Sequence, residues 1–477
     1  MSYPYDLIII GGGISGCTAA SIAVGFGART LLVEKDMSGA NGSWQRTIPV
    51  KALLYQARKY AERTEAPTHK FFDELLSLKE KAYRGTEHPE RLKNLGVEMV
   101  EGQAVFIDSH TIEIEKKDHK KIRVRGRKMI IASGSSPLIP EVEGIGRTPY
   151  LTPDTLFKKT WIPERIIIVG AGPVGAELGQ AWCRLGSQVT LLEKENRILP
   201  AFPLQASDPL RQVMESEGME IITGCKITRV KGDEHSVTVH VSAGEEERVL
   251  SADRVLFATG RHVFPEKLKL KKAGVSYKAH QVFVDKNFRT NVRHIYAIGD
   301  ITGTLHQAQM AISMARAAVV HALFRIPMRV TSEDVPRVVF TDPEVATIGR
   351  IPSKSALKSQ KYERYRVSYE KIGRAVIEDT PEGWIHVYVK KWTGRIMGAH
   401  ITGRNAGEMI SVFTMAMRHG IPLRKIASIS FPFSSFSYGI QKVAEEWHLS
   451  PQRNGMYNWL KKLFRLQGFL RKGNRQE

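Results

Sequence analysis

The chain has 477 residues, of which 42% are hydrophobic and 25% charged, and its formal net charge is +21 at pH 7. This length predicts about two to four domains, and no apolar run reaches the ~18 residues of a membrane-spanning helix. The positive charge favours anionic partners, but no base-reading motif favours nucleic acid. The N-terminus lacks the basic segment of a secretory signal, so we expect a cytoplasmic protein. The three cysteines are too scattered for a metal site, so we expect no bound metal.

The first predicted element is a buried strand that runs directly into a glycine-rich turn. The strand, Asp6–Ile10, is short, continuous and apolar, as is typical of a parallel strand. The turn Gly-Gly-Gly-Ile-Ser-Gly occupies residues 11–16, and a helix of small residues follows. A second strand, Thr30–Val33, leads to Glu34. This order of strand, turn, helix, strand and acid is typical of a dinucleotide-binding unit.

Three of the four glycines of this turn have separate tasks. Gly11 allows the tight bend, Gly13 lets the backbone approach a pyrophosphate, and Gly16 lets the helix pack closely on the strand. The helix N-terminus attracts the phosphates, and Glu34 can accept hydrogen bonds from ribose hydroxyls. The sequence therefore predicts a nucleotide site here.

The same pattern recurs later in the chain. Arg165–Val169 is the strand, Gly-Ala-Gly-Pro-Val-Gly at 170–175 is the turn, and Gln188–Leu192 leads to Glu193. In both copies the first glycine and the acid are 23 positions apart, at 11 and 34 and at 170 and 193. Two matched copies predict two nucleotides. The glycines of the second turn are Gly170, Gly172 and Gly175.

The acid of the second copy predicts which nicotinamide nucleotide binds. Glu193 would repel a 2′-phosphate, which favours NAD(H) over NADP(H). Lys194 and Arg197 follow closely and can attract that phosphate, so NADP(H) stays open.

Further segments carry a family resemblance. They are Ala132-Ser133-Gly134-Ser135, Ala258-Thr259-Gly260-Arg261, Ile295–Asp300, Phe340–Ala346, Gly398–Ile401 and Ala406–Glu408. With the two turns, they resemble the pyridine nucleotide–disulfide oxidoreductases, which include dihydrolipoamide dehydrogenase, glutathione reductase, mercuric reductase and soluble transhydrogenase. The resemblance runs from about Tyr5 to about Ala444.

The resemblance implies an α/β fold with two Rossmann-like domains, for FAD and NAD(P), and a C-terminal α+β dimerisation domain. It implies a homodimer. The expected divisions are 1–150 and 281–330 for FAD, 151–280 for NAD(P), 331–450 for dimerisation and 451–477 for a basic tail. Cofactor-binding residues implied beyond the two turns are Lys51, Ala132, Ser133, Gly134, Gly260, Arg261, Gly299 and Asp300, the last of which would bond the ribityl chain.

The sequence departs from the family where its redox-active cysteines lie. In most members two cysteines directly precede an Ile-Pro-Ser-Lys segment. Aligning Ile48-Pro49-Val50-Lys51 with that segment puts Gly42 and Thr47 at the cysteine positions. The chain's three cysteines, Cys17, Cys183 and Cys225, are scattered elsewhere. We therefore expect no redox-active disulfide.

A second departure concerns the family's His-Pro-Thr-x-x-Glu segment, whose His and Glu protonate a leaving thiol. The nearest match places Phe431 and Phe436 at those positions, and neither side chain transfers a proton. The two losses agree, since an enzyme without thiol chemistry does not need this pair.

Two matching residues favour a working enzyme. Lys51 matches the family lysine beside the flavin, and Glu177 matches its ion-pair partner near the nicotinamide. The pair would orient both rings, and Lys51 would stabilise negative charge on reduced flavin. A surviving structural ion pair is the alternative.

Residues near the missing cysteines leave two interpretations open. Trp44, Gln45 and Arg46 either shape an acceptor pocket or lie on a helix surface, and His306 receives no catalytic role. Thr47 matches the threonine of soluble transhydrogenase, whereas Gly42 replaces the cysteine that this enzyme usually keeps.

The end of the chain, Arg453 to Arg475, combines apolar residues at helical spacing with many cations. Such a basic amphipathic segment suits peripheral contact with the inner face of a membrane, and packing on the dimer is an equal alternative. The cations are Arg453, Lys461, Lys462, Arg465, Arg471, Lys472 and Arg475.

These observations predict an FAD-dependent NAD(P)H oxidoreductase that passes electrons from reduced flavin directly to a quinone or other small oxidant. The alternatives are a transhydrogenase-like enzyme and an inactive nucleotide-binding scaffold.

Overall fold

The computed structural model describes residues 3–37, 43–61, 69–86, 89–158, 161–304, 306–359, 361–449 and 463–464. The chain divides into two compact units. The N-terminal unit comprises Met1–Ala201 and Arg211–Val335, and the C-terminal unit comprises Phe202–Leu210 and Pro336–Glu477. The finer division into FAD, NAD(P) and dimerisation domains stays a prediction.

The first half of the N-terminal unit alternates strands and helices before a run of strands. Its elements are β1 (Tyr5–Ile10), α1 (Ile14–Gly25), β2 (Thr30–Glu34), α2 (Ser43–Ala61), α3 (His69–Thr86), α4 (Pro89–Asn94), β3 (Glu98–Glu101), β4 (Gln103–Phe106), β5 (Thr111–Glu115), β6 (Lys121–Ile131) and β7 (Ser136–Pro137).

The second half repeats the opening pattern. Its elements are β8 (Arg165–Val169), α5 (Pro173–Arg184), β9 (Gln188–Glu193), α6 (Leu204–Ser216, which begins in the C-terminal unit), β10 (Glu220–Thr223), β11 (Lys226–Gly232), β12 (Val237–Ala243), β13 (Glu246–Ala252), β14 (Arg254–Phe257), β15 (Arg261–His262), β16 (Tyr277–Lys278), β17 (Gln281–Val282), β18 (Ile295–Ala297) and α7 (Ala308–Phe324).

A seven-stranded sheet forms the centre of the first half. Its order is β3-β2-β1-β6-β5-β4, and β18 also pairs with β6. Strands β1, β2 and the end of β6 are parallel, with Ile8 opposite both Leu31 and Met129. Leu7 and Ile9 belong to the core formed with α1 and α7, whereas Ile8 belongs to the core on the opposite face. Both faces are covered, which explains the unbroken apolar run of β1.

A second sheet, β10-β9-β8-β14, is entirely parallel. The antiparallel sheet β11-β12-β13 packs against it, and Val169 and Phe257 share one core with Val230 and Val239. In each half the first parallel strand, β1 or β8, ends at its glycine-rich turn. Ligands of open parallel sheets bind at this carboxyl edge.

The C-terminal unit contains an antiparallel sheet with the order β19-β20-β23-β22-β21. Ile385 and Val387 pack with Phe413 and Trp447 from the helices on one face. These parts together confirm the predicted α/β fold class with a C-terminal α+β part. The elements are β19 (Arg337–Val339), β20 (Glu344–Gly349), α8 (Lys354–Lys358), β21 (Tyr362–Ser368), α9 (Gly373–Ile377), β22 (Trp384–Lys390), β23 (Ile396–Gly403), α10 (Ala406–Arg418), α11 (Leu423–Ile426) and α12 (Tyr438–Leu449).

Two buried histidines stack on each other in this sheet. His386 and His400 lie directly opposite one another on β22 and β23, with ring centroids 4.4 Å apart. Within the described residues, both ring nitrogens of His400 and Nδ1 of His386 have no hydrogen-bond partner. Burial lowers the pKa of His386 to about 3 and holds the pKa of His400 well below its usual range. Both rings are therefore neutral near pH 7.

The predicted basic tail, 453–475, lies outside the described residues apart from Leu463 and Phe464. Among the helices that the structure describes, none is long and apolar enough to cross a membrane.

Candidate functional site

The first glycine-rich turn has no room for side chains at two of its glycines. Gly11 has a φ of +110°, and a Cβ added there would lie 2.3 Å from the Ala132 carbonyl oxygen. A Cβ on Gly16 would lie 1.8 Å from the Gly11 carbonyl oxygen. Gly13 is the N-cap of α1 and supplies no capping side chain. The backbone at the start of α1 is therefore left open to a phosphate group.

Glu34 is held by the backbone at both carboxylate oxygens. Its Oε2 accepts a hydrogen bond from the Gly12 N–H at 2.5 Å, and its Oε1 accepts one from the Asp36 N–H at 3.1 Å. The side chain lies at the end of β2 and is buried. A carboxylate fixed in this way has remaining lone pairs for a ribose hydroxyl.

The second turn repeats this geometry. Gly170 has a φ of +100°, and a Cβ on Gly175 would lie 1.8 Å from the Gly170 carbonyl oxygen. Glu193 accepts hydrogen bonds from the Ala171 N–H at 2.8 Å and the Glu195 N–H at 3.1 Å. A Cβ on Gly172, the N-cap of α5, would meet nothing within 4 Å. The fold does not itself require glycine at this position, whereas a ligand lying against the backbone would.

A cavity of about 700 Å³ lies at the carboxyl edge of the first sheet. Among the predicted site residues, those lining it are Gly11, Gly13, Glu34, Lys51, Ala132, Ser133, Gly134, Glu177, Gly260, Arg261 and Asp300. The remaining predicted residues, Gly16, Gly170, Gly172, Gly175, Glu193 and Gly299, do not line it. The structure thus gathers most predicted residues of the first turn and the crossover segments into one cavity. Of the second turn only Val174 lines it, and the three glycines of that turn do not.

The predicted ion pair is formed at the wall of this cavity. Lys51 Nζ, on α2, lies 2.6 Å from Glu177 Oε2, on α5, and their side chains are 30% and 4% exposed. Glu177 is thus a buried carboxylate close to a lysine that retains some access to solvent. Thr47 also lines the cavity and lies one helical turn before Lys51.

A polar network that the sequence did not predict surrounds Asp300. Its Oδ2 accepts a hydrogen bond from the Ser135 hydroxyl, and Arg261 Nε donates to the same hydroxyl at 2.6 Å. The Arg261 guanidinium also lies 3.3 Å from Asp154 and 3.9 Å from Asp300. Arg261 therefore binds the protein's own carboxylates, and with Ser135 it fixes the orientation of Asp300 in the cavity wall.

Several further polar groups line the cavity without a sequence signal of their own. They are Lys35, Gln103, Asp154 and Lys267, whereas His306, to which the sequence assigned no catalytic role, and Gln307 also line the cavity. Lys35 directly follows Glu34, so proximity to the acid was the one clue available for it.

The residues near the predicted cysteine positions are only partly described. Helix α2 begins at Ser43, and the side chains of Trp44, Gln45 and Arg46, like Gly42 as a whole, lie outside the described residues. Their assignment to a pocket or to a helix surface stays a prediction.

None of the three cysteines, all of which the structure describes, forms a disulfide, and the cavity lining contains none of them. Cys17 Sγ lies 3.1 Å from the Gly12 carbonyl oxygen inside α1, and burial raises the pKa values of Cys183 and Cys225. Raised pKa values disfavour the reactive thiolate.

The two phenylalanines at the family's His and Glu positions contribute to hydrophobic packing. Phe436 is buried in the core of the C-terminal unit, and Phe431 packs against that core. Within the described residues, no group of three or more His, Cys, Asp or Glu side chains could hold a metal ion.

The sequence pattern of the pyridine nucleotide-disulphide oxidoreductases matches residues 5–315, and the pattern of their dimerisation domain matches residues 335–444. The chain belongs to this family. The predicted resemblance is confirmed, and the match to the dimerisation domain agrees with the expected homodimer. The family consists of FAD-dependent NAD(P)H oxidoreductases, so FAD and a pyridine nucleotide are its ligands. The uncapped start of α1 and the rigid Glu34 fit an FAD diphosphate and ribose.

Curated relatives span most of the chain. It is 30% identical to mitochondrial dihydrolipoyl dehydrogenase of Pisum sativum, over 92% of this chain and 90% of that protein. It is 27% identical to mercuric reductase of Staphylococcus aureus, over 92% of this chain and 82% of that protein.

A solved structure, LpdA from Mycobacterium tuberculosis, shares the fold with a TM-score of 0.84 and 24% identity, over 92% of this chain and 99% of that one.

Proposed function

We propose that this family member passes electrons from a nicotinamide nucleotide, through FAD, to an acceptor that is not a disulfide. A quinone or another small oxidant fits this role. The observation that carries the proposal is the cavity wall beside Lys51 and Glu177, where Thr47 stands at a cysteine position of the family. The hydroxyl of Thr47 cannot replace a thiolate.

FAD bound in the cavity would supply two-electron transfer between the nicotinamide nucleotide and the acceptor. The chain's own residues would provide position and charge. Lys51, held by Glu177 at 2.6 Å, would present a positive charge that favours reduced, anionic flavin. Asp300, oriented by Ser135 and Arg261, would hold the ribityl chain.

For the second turn we propose NAD(H) as the preferred nucleotide. Glu193 is buried and fixed by two backbone N–H groups, so it cannot easily move away from a 2′-phosphate. Lys194 lies 3.9 Å from Glu195, and Arg197 donates to the Pro200 carbonyl oxygen at 2.6 Å. These contacts reduce the ability of both cations to attract that phosphate.

The test is an anaerobic titration of the purified holoenzyme followed by visible absorbance. NADH should bleach the flavin band, and a soluble quinone should restore it. Treatment with iodoacetamide should leave both steps unchanged, because the cavity lining holds no cysteine. A flavin band that NADH and NADPH leave unbleached would support an inactive scaffold instead.

Thr47 in the cavity lining also supports a second candidate, a transhydrogenase-like enzyme. Reduced enzyme would then return its electrons to a thionicotinamide analogue faster than to any quinone. This comparison uses the same reduced sample and separates the two acceptor classes directly.

The basic tail belongs to the same proposal, since a lipid quinone would be reached at a membrane surface. Vesicle co-sedimentation of the full chain and of a version ending at Ser450 tests this. Equal partitioning of the two proteins would remove the tail from the proposal.

A further inference from the structure

The turn that joins β22 to β23 carries an unusually exposed aromatic side chain. Trp392 is 76% exposed and has a φ of +70°. The turn is nevertheless well bonded, because Lys390 N–H donates to the Arg395 carbonyl oxygen at 2.9 Å and Gly394 N–H donates to the Lys390 carbonyl oxygen at 3.0 Å. We name residues 390–395 the Trp392 hairpin.

Cations surround this hairpin. The Lys391 N–H donates to the Lys361 carbonyl oxygen at 3.1 Å, so the start of β21 lies beside the turn. The Gly394 carbonyl oxygen accepts a hydrogen bond from the Leu423 N–H at 2.9 Å, so the start of α11 lies beside it as well. Neither the hairpin nor α11 contains an acidic residue. The exposed cations of these segments are Lys361, Lys390, Arg395, Arg424 and Lys425.

The last turn of α12 lies against the same hairpin. A Cβ on Gly394 would come within 3.0 Å of the Trp447 ring, so these two segments are in close contact. Leu449, two residues further along, is 73% exposed.

We propose that the Trp392 hairpin is a contact surface for an anionic lipid bilayer. An indole at the apex of a turn suits the bilayer interface, where its ring is buried and its N–H stays hydrated. The neighbouring cations match the negative potential of anionic lipid. Leu449 favours lipid over nucleic acid, because a leucine gains from acyl chains and offers no ring for base stacking. This surface does not depend on which electron acceptor the enzyme uses.

The backbone of the turn provides a clean test variant. A φ of +70° is strained for tryptophan and readily adopted by asparagine, so Trp392→Asn removes the indole and relaxes the turn. A loss of lipid binding in this variant cannot then be attributed to a damaged fold, and its thermal midpoint should equal or exceed that of the wild type.

The experiment measures partitioning of the full-length holoenzyme onto vesicles of phosphatidylcholine alone or mixed with phosphatidylglycerol. We expect binding to the mixed vesicles only, weakened about tenfold by Trp392→Asn. Lys390→Gln and Arg395→Gln should each weaken it about fivefold. Val249→Thr is the matched control, because Val249 is 60% exposed on β13 behind a run of glutamates.

Quenching of tryptophan fluorescence by brominated lipid locates the contact, since wild type should be quenched more than Trp392→Asn. Equal partitioning and quenching of wild type and Trp392→Asn would overturn the proposal. If the holoenzyme bound single-stranded RNA through Trp392 and did not bind the mixed vesicles, lipid would be the wrong ligand for this surface.

Discussion

The two glycine-rich turns share one geometry but lie in different surroundings. In both, a carboxylate at a strand end accepts two backbone hydrogen bonds. In both, a Cβ added to the last glycine of the turn would lie 1.8 Å from the carbonyl oxygen of the first glycine. The first turn lines a cavity of about 700 Å³, whereas the glycines of the second do not.

This difference separates two properties that the repeated sequence pattern does not distinguish. In the proposed function the turn itself would bind phosphate and ribose, and the residues around it would set how far the ligand is enclosed. We infer that the first turn retains its nucleotide through many reaction cycles and that the second exchanges its nucleotide in each cycle. Substitutions at matched positions of the two turns can break this comparison.

The largest effects are expected from substituting the last glycine of each turn, Gly16 and Gly175. Gly16→Ala places a methyl group against a backbone oxygen of the first turn, at a cost of about 3 kcal/mol, and the purified protein should lose its flavin absorbance. Gly175→Ala should keep the flavin and reduce NADH binding more than about 100-fold. Absorbance spectra and NADH titration measure both.

Gly172→Ala is the control for this pair, because its added methyl group meets no atom within 4 Å. It should leave the thermal midpoint unchanged and weaken NADH binding alone. A variant of Gly16 that retains its flavin would contradict the asymmetry of the two turns.

The Lys51–Glu177 pair joins the two halves and should give the next largest effect. Lys51→Met removes the cation 2.6 Å from a carboxylate that is 4% exposed, so we expect a loss of about 2 kcal/mol in stability after allowing for the partly exposed lysine. The rate of flavin reduction by NADH should fall about 100-fold in stopped-flow measurements.

The double variant Lys51→Met/Glu177→Leu distinguishes structure from chemistry. It should recover the free energy of unfolding, because no buried charge loses its partner, while flavin reduction stays slow. Recovery of both the free energy of unfolding and the rate of flavin reduction would show that the pair is only structural.

Glu193→Gln should have a moderate effect confined to the second turn. Glutamine still accepts a hydrogen bond from Ala171 N–H but no longer repels a 2′-phosphate, so the ratio of kcat/KM for NADPH to that for NADH should rise about tenfold. Glu34→Gln is the matched change at the first turn and should leave this ratio unaltered. Steady-state kinetics with both nucleotides tests the pair.

The last effect is negligible at pH 7 and sets the pH range in which these comparisons are valid. His386 is neutral in the folded protein with a pKa of about 3, against about 6.5 when unfolded, and His400 is shifted in the same direction. Unfolding therefore takes up protons below pH ~6.5. Through His386 the stability of the C-terminal unit is full above that pH and falls toward pH ~3, by about 1.4 kcal/mol per pH unit, and His400 acts in the same direction.

Urea unfolding at pH 7 and pH 5.5 measures this dependence. His386→Phe keeps a stacked ring without a titrating nitrogen, so the free energy of unfolding should depend less steeply on pH. An unchanged slope in this variant would assign the acid sensitivity to other groups.

Local patterns made the two turns predictable. The isoleucine-rich strands, the glycine positions and the terminal acids all lie within short segments, and the structure matches them closely. The Lys51–Glu177 pair was predictable through family resemblance alone, since the two residues are 126 positions apart. The Ser135–Asp300–Arg261 network and the Trp392 hairpin depend on contacts between distant segments, which no local pattern encodes.

The grouping of Phe202–Leu210 with the C-terminal unit had no sequence signal for the same reason. There the Ala206 carbonyl oxygen accepts a hydrogen bond from the Thr402 hydroxyl at 2.9 Å, across 196 positions. Only the folded chain brings such segments together.

The long spans that complete the cavity also set an order for its assembly during translation. The hydrogen bond between Ser135 and Asp300 spans 165 positions of the sequence, and the ion pair between Lys51 and Glu177 spans 126. A nascent chain that has released only its first sheet from the ribosome thus carries an unfinished cofactor pocket with an uncompensated lysine. Under the proposed function we therefore expect flavin to bind only after the second half of the N-terminal unit has been synthesised, and a fragment cut between the halves should not form a holoprotein by itself.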